Sequence, residues 1–301
     1  MYEVMGKTWL EVALNGPWSR KRQPGIPVKV SEIIQQGIDC VNAGASVVHL
    51  HAYDEATGQQ KDDPETYARI IEGIRSKVDA IVYPTVPSAG FNEFDSRSSG
   101  EQRYAHVETL AKLKLLEWEV VDPGSCNFAH YDDLQNDKTG FVYMNQEEHV
   151  RHGLQLARRY NLHPSYAIYE PGFARLGANL HWRESCPDPI YRLMFTRGYT
   201  FGFPPEDYGL TAYLNLLDQV APGCNWMIAG LDVDIMPLVA RTVVERGHVR
   251  VGLEDAPFGC GQSNVQLVEA AAASIEKAGG ALATAAEVRI ASSADATEES
   301  A

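Results

Sequence analysis

Val47-Val48-His49-Leu50-His51 is the stretch that decides how this chain is read. It is short, apolar and β-branched, which is the signature of a buried strand. Residues i and i+2 of a strand project from one face, so the two imidazoles stand side by side on whatever that face lines. Two imidazoles on one rigid face are half of a first-row metal site, most often a zinc site. A carboxylate from far along the chain can complete it. Val249-Arg250-Val251-Gly252-Leu253-Glu254-Asp255 is the best donor, because it reads as a second buried strand ending in charged groups. The plainer reading of His-x-His alone leaves one imidazole in the core and the other in solvent.

Working outward, short apolar runs alternate with longer helical patterns. The runs predict strands at 9–14, 46–51, 80–83, 119–121, 166–169, 200–203, 226–229 and 249–253. Helix signals lie between them: Ser31 before a patterned segment that Gly44 closes, Asp63-Pro64 as N-cap and first residue, Asn145 with Glu148 at capping-box spacing, and Asp234 opening a helix to Arg246 that Gly247 stops. Segment 172–198 is expected to form the approach to the sixth strand and a lid or oligomer contact. Eight strand–helix units predict a single-domain (β/α)8 TIM barrel over residues 1–290, with a disordered acidic tail at 291–301. The rival is a doubly wound open sheet. No G-x-G-x-x-G follows the first strand and no G-x-x-x-x-G-K-[ST] occurs anywhere, which removes the usual nucleotide-binding reasons to prefer it.

The 301 residues carry 45% hydrophobic and 22% charged side chains, ordinary for a globular protein. A net charge of −14 argues against non-specific binding to nucleic acid or anionic membrane. Arg20, Lys21 and Arg22 offer a local basic patch for an anionic ligand, or simply a solvated loop. The start shows no secretory pattern, and no apolar run reaches the roughly 20 residues of a membrane span. The 5 cysteines have no C-x-x-C spacing. The expected location is therefore the reducing cytoplasm, with no disulfide framework.

In a barrel, chemistry sits at the C-terminal ends of the strands. Those ends read Asn15-Gly16, His49 and His51, Pro84-Thr85, Asp122 to Asn127, Glu170, Pro204, Gly230, and Arg250 with Glu254 and Asp255. Glu254 and Asp255 are adjacent, so their side chains diverge and suit different tasks, one as metal ligand and one as base. Arg250 can hold a carboxylate by paired, charge-assisted hydrogen bonds. A His, His, Glu set with open positions is a catalytic arrangement for zinc, which polarises a carbonyl and stabilises an enolate. The structural alternative for any one of these residues is a rim salt bridge or a helix cap; Asp255 could cap the last helix.

The order of motifs resembles the β-keto acid cleavage enzymes, the family of the 3-keto-5-aminohexanoate cleavage enzyme. The resembling pieces are Ala13-Leu14-Asn15-Gly16, Ile26-Pro27-Val28, Asn42-Ala43-Gly44-Ala45, His49-Leu50-His51, Asp54 to Gly58, Gly124-Ser125-Cys126-Asn127-Phe128, Tyr169-Glu170-Pro171-Gly172 and the run from Gly247 to Asp255. The resemblance implies a barrel holding zinc or another divalent metal at His49, His51 and Glu254. It implies acetyl-CoA as co-substrate in a retro-Claisen-type reaction, in which a β-keto acid and acetyl-CoA give acetoacetate and a new acyl-CoA. It implies a homotetramer. By position, Asp255 and Arg250 manage proton removal, Ser125 stands where the family has a threonine hydroxyl, and Glu170 matches a substrate-facing carboxylate. Asn15, Trp18 and Thr85 fall at the substrate end of the pocket.

Two departures bear on the substrate. Pro17-Trp18 follows Asn15-Gly16 where the amino-substrate enzyme has a glutamate, and Tyr83-Pro84-Thr85-Val86-Pro87 replaces a Ser-Thr-Gly-Gly-like turn. Trp18 offers an apolar or cation-binding face instead of a carboxylate. The expected substrate is a neutral or hydrophobic β-keto acid, with a quaternary amine second, and the prolines leave CoA acceptance to be tested. The competing functions are another metal-dependent barrel hydrolase or aldolase, and a non-catalytic metabolite-binding barrel. Placement of His-x-His on the second strand, with no histidine ending strands five and six, counts against an amidohydrolase.

Overall fold

The computed structural model describes residues 7–87 and 99–294. Ten strands occur among them: β1 (Leu10–Ala13), β2 (Val47–Leu50), β3 (Ile81–Pro84), β4 (Trp118–Val120), β5 (Cys126–Phe128), β6 (Phe141–Tyr143), β7 (His163–Ile168), β8 (Ile190–Phe195), β9 (Trp226–Gly230) and β10 (His248–Val251). Eight of them form one parallel sheet in the order β3-β2-β1-β10-β9-β8-β7-β4. The first and last strands pair, Leu10 against Val249 and Glu11 against Arg250. β3 and β4 lie side by side at the seam. Helices separate successive strands, and the result is the single-domain (β/α)8 barrel. β5 and β6 form an antiparallel hairpin outside the sheet. No helix among the described residues is long and apolar enough to cross a membrane.

Strands covered by helices outside and by one another inside are buried on both faces, and β1, β2, β3, β9 and β10 are buried at every position. Register fixes what faces inward. Glu11, Arg250, His49, Tyr83, Ser165, Arg192 and Ala167 lie in register or two residues apart along neighbouring strands. Near the bottom, Trp9 packs 5.9 Å from Trp118 and stacks 4.0 Å from His248. Above this plug runs a polar layer: Tyr83 Oη donates to Glu11 Oε1 (2.7 Å), and Arg250 donates to the same oxygen (3.0 Å). Higher still, the inward positions shrink to Ala167 and Ala229 beside Met194, and space opens.

His248 accepts a hydrogen bond from the Trp9 backbone through Nδ1 (3.2 Å). Burial pushes its imidazole down to about 3. A folded pKa below the unfolded value of about 6.5 means that the unfolded chain binds this proton first. Stability from His248 is therefore complete above about pH 6.5 and is lost as pH falls toward 3. His248→Asn, which keeps an acceptor for Trp9, is expected to flatten urea-unfolding stability against pH across that window by about 1.4 kcal/mol per pH unit. An unchanged slope would show that His248 is not the group responsible.

The sixth barrel strand is Ile190–Phe195, not 200–203. Arg192 in its centre breaks the apolar run, yet the guanidinium faces the polar barrel interior, where it is tolerated. The 200–203 segment lies at the rim, with Phe201 4.6 Å from Phe128 and Phe203 bridged to Phe195. Segment 172–198 is accordingly mostly the helix Pro171–Glu184 and this strand. Asp63 caps its helix as expected, accepting from the Thr66 N–H (2.9 Å). Ser31 does not cap: the first helix spans Val30–Asn42, and Glu32 reaches back to the N–H groups of Val28 and Lys29. Asn145 does not cap either, because its amide is spent on Gly124 O (2.7 Å) and the helix starts at Glu147. Asp234 accepts from the Met236 N–H and opens a 3₁₀ turn, Met236–Leu238, that runs into Val239–Val244. The left-handed stop there is Arg246 at φ 59° rather than Gly247, where a Cβ would sit 2.3 Å from the Trp226 ring. Residues 291–294 continue the helix Ala285–Ala294, and 295–301 lie outside the described residues.

Candidate active site

β2 and the turn after β10 deliver the metal-type ligands to one point. His49 Nε2 stands 3.5 Å from Glu254 Oε2, and His51 Nε2 stands 3.5 Å from Glu254 Oε1. One potential ligand atom from each of the three falls within 4.8 Å of the others. Two ligands about 2.0–2.1 Å from a tetrahedral ion are themselves roughly 3.4 Å apart, so the set fits a small divalent metal. The donor chemistry agrees. His51 Nε2 and Glu254 Oε2 are buried with no hydrogen-bond partner, a costly state for polar atoms that nothing ligates.

The surroundings prepare these atoms. Gln60 Nε2 donates to Asp62 (3.0 Å), and Asp62 also accepts from Tyr67 Oη (3.0 Å). This orientation aims Gln60 Oε1 at His51 Nδ1 (2.8 Å). Nδ1 therefore carries the proton and Nε2 presents its lone pair to the site. Burial above all, with help from Arg250, holds the His49 imidazole neutral despite Glu254. Gly16 allows the approach of Glu254: its φ is +63°, and a Cβ there would lie 2.6 Å from Glu254 Cγ.

Arg250, 1% exposed, is the hub behind the ligands. It forks onto Asp255 through Nε (2.9 Å) and a terminal nitrogen (2.8 Å), touches Glu254 Oε1 (2.9 Å) and holds Glu11 (3.0 Å). Burial drives the Glu254 carboxyl upward, but Arg250 and the two imidazoles outweigh it and hold the group well below the usual range. For Asp255 burial wins over Arg250, and the carboxyl is pushed up to about 6. Asp255 lines a second cavity, with Val251, Ala256 and Pro257, and not the pocket over the ligand cluster.

A pocket opens over the ligand cluster. Trp18, Thr85, Asp122, Tyr169 and Arg192 line it, with Phe128, Phe141 and Tyr143 supplied by the β5–β6 hairpin. Phe128 lies 5.3 Å from Phe141, 5.2 Å from Tyr143 and 5.0 Å from Tyr169, which makes one wall aromatic. Trp18 Nε1 donates to Glu254 O (2.8 Å), fastening the first loop to the metal-ligand turn. Arg22 rests 5.1 Å over Trp18 and 4.0 Å over Phe258, and donates to Tyr199 Oη (2.9 Å) at the mouth. Its neighbour Arg20 turns away to Glu32.

The structure brings His49, His51, Glu254, Arg250, Asp255, Trp18 and Thr85 together. Three other expected site residues have different surroundings. Asn15 is fully buried, and its amide is spent on Pro27 O, His51 O and the His51 N–H (3.0, 3.0 and 2.9 Å). It positions His51 and does not line the pocket. Ser125 is exposed, and its hydroxyl exchanges hydrogen bonds with the Asn145 backbone. Glu170 precedes the helix Pro171–Glu184 and accepts from the Gly202 backbone, outside the lining. The residues not anticipated as site residues are Gln60, Arg192 and the hairpin aromatics. None forms a local motif; only the inward parity of β8 could have singled out Arg192.

A family model described as "beta-keto acid cleavage enzyme" matches residues 7–291. The chain is 24% identical over 277 residues to a 3-keto-5-aminohexanoate cleavage enzyme of Fusobacterium nucleatum, covering 90% of this chain and 92% of that one. It is 27% identical over 291 residues to a 3-oxoadipate:acetyl-CoA acetyltransferase of Cupriavidus necator, covering 93% and 92%. Among solved structures, apo ObcA superposes with a TM-score of 0.71 at 15% identity, a likeness of fold. That superposition covers 89% of this chain and 65% of the ObcA chain, so this chain spans just under two thirds of ObcA's length.

Proposed function

The chain belongs to the beta-keto acid cleavage enzyme family, and from that membership we propose that it exchanges acyl groups between a β-keto acid and acetyl-CoA, giving acetoacetate and a new acyl-CoA. The observation that carries the reading is the convergence of His49, His51 and Glu254, with unpartnered buried donor atoms, at the floor of an aromatic-walled pocket. A divalent metal, zinc first, would be held by these three residues and would supply Lewis acidity toward a ketone oxygen. The chain's own groups do the rest. Asp255, locked by the Arg250 fork and pushed up to about 6, does not itself line the pocket and would move a proton near neutral pH only as one unit with Arg250 and Glu254. Arg250 ties Asp255 to Glu254, so proton handling and ligand charge are coupled through one guanidinium. The aromatic wall excludes water from the reacting carbons.

The two relatives act, by name, on an amino acid derivative and on a dicarboxylate, so similarity alone does not choose the substrate. The pocket favours a neutral or hydrophobic tail. Trp18 replaces an anionic partner, and Arg22 already occupies its cation-accepting side, which disfavours a quaternary amine. A homotetramer in the cytoplasm completes the reading. Trp182, 82% exposed on its helix, and five free cysteines support those two parts. No observation favours a hydrolase, an aldolase or a non-catalytic barrel.

The test is a coupled assay on metal-quantified protein with acetyl-CoA and a panel of cationic, neutral and anionic β-keto acids, read as acetoacetate. Formation dependent on both substrates and on metal, fastest with apolar tails, is the expected result. No acetoacetate from metal-replete protein across the panel would overturn it.

A further inference from the structure

Resting on that reading, we infer that Arg192 is the residue that holds the carboxylate of the β-keto acid. Arg192 sits on β8, in register with Ala167 on one side and Met227 on the other, and lines the same pocket as the metal-ligand cluster. It is 3% exposed. One terminal nitrogen donates to Ser165 O (3.3 Å), while Nε is buried with no partner. Asp122 does not satisfy it: the nearest approach is 3.8 Å, and the Asp122 oxygens accept from Tyr143 Oη and from the Ala167 N–H (3.2 Å). A buried guanidinium that lines a pocket and makes no close contact with a carboxylate of its own chain is suited to an incoming anion.

Several other donors around the pocket are committed or absent, and Tyr169 offers a neutral hydroxyl rather than a charge. Trp18 Nε1 serves Glu254 O, and the Thr85 hydroxyl serves Val86 O. Pro84 and Pro87 have no N–H to offer at the end of β3. Arg22, the other cation of the lining, is exposed at the mouth and held by Tyr199. A substrate carboxylate therefore finds its deep partner at Arg192, whose guanidinium is tethered to Ser165 O. This barrel uses one arginine for several carboxylates elsewhere, at Arg250 with Glu11, Glu254 and Asp255.

The test uses metal-loaded full-length protein and the variants Arg192→Gln and Asp122→Asn/Arg192→Gln. The double variant removes both charges, so no lone buried carboxylate remains to unfold the barrel. KM and kcat are measured for the best β-keto acid. Inhibition constants are measured for the matching β-hydroxy acid and its primary amide, and metal content is measured throughout. The expected result is a KM for the keto acid raised roughly 10- to 100-fold. KM for acetyl-CoA and metal content stay unchanged, and the wild-type preference for acid over amide inhibitor disappears. A merely structural role would not erase that preference. Normal wild-type turnover with the acid preference intact in both variants would overturn the assignment of Arg192 alone. Wild-type protein that turns over no β-keto acid would overturn the functional reading and this inference with it.

Discussion

Glu254→Gln is expected to abolish tight metal binding and to lower turnover by on the order of 10³-fold, the equivalent of several kcal/mol of Lewis-acid stabilisation. The fold should survive, because the amide keeps the volume of the carboxylate and the barrel walls do not depend on it. The physical reason is charge. Glu254 is the anionic member of the His49, His51, Glu254 set, and Arg250 keeps it ionised against burial. A neutral amide both weakens the ligand and leaves Arg250 one partner short. Gln60→Leu is the graded comparison. It leaves all three ligands in place but frees His51 Nδ1 from its acceptor, so affinity is expected to fall by about 10- to 100-fold. Competition with a chromophoric chelator measures both. Glu254→Gln with wild-type affinity and turnover would remove Glu254 from the site.

Arg250→Met is expected to cost about 3–5 kcal/mol of unfolding free energy, because removing one partner of a buried ion cluster leaves the others uncompensated. Here the others are Glu11, Asp255 and Glu254, in contact with one fully buried guanidinium. Arg250→Lys should fall between wild type and Arg250→Met. An ammonium keeps the charge but cannot fork across both Asp255 oxygens. Urea unfolding with full metal loading reads the effect. Equal stability of Arg250→Met and wild type would show that the cluster is not held by this residue.

The local signals that succeeded were those whose geometry is set by the backbone alone. Strand parity puts His49 and His51 on one face whatever the fold, and Asp63-Pro64 caps its helix with atoms three residues away. Recurrence of strand and helix patterns was enough for the barrel, because a parallel sheet with both faces covered needs that alternation. The sixth strand failed for the converse reason. Arg192 looks like an interruption until the barrel interior is known to be polar at that height.

Sequence by itself determined the barrel, the paired imidazoles and the acidic end of the last strand, since each follows from periodicity or from spacing within a few residues. Only the tertiary structure decided how the polar rim is divided between chemistry and support. Asn15 and Ser125 are as polar as any catalytic group, but their hydrogen-bonding capacity is spent on backbone 12 to 36 residues away. Arg192 reads as a strand-breaking charge, yet its side chain lines the pocket and its buried Nε has no partner. Hydrogen-bond satisfaction depends on every neighbour a folded chain brings within about 3 Å. At this site the neighbours come from β1, β2, β8, β10 and the β5–β6 hairpin, segments that only the closure of the barrel brings together.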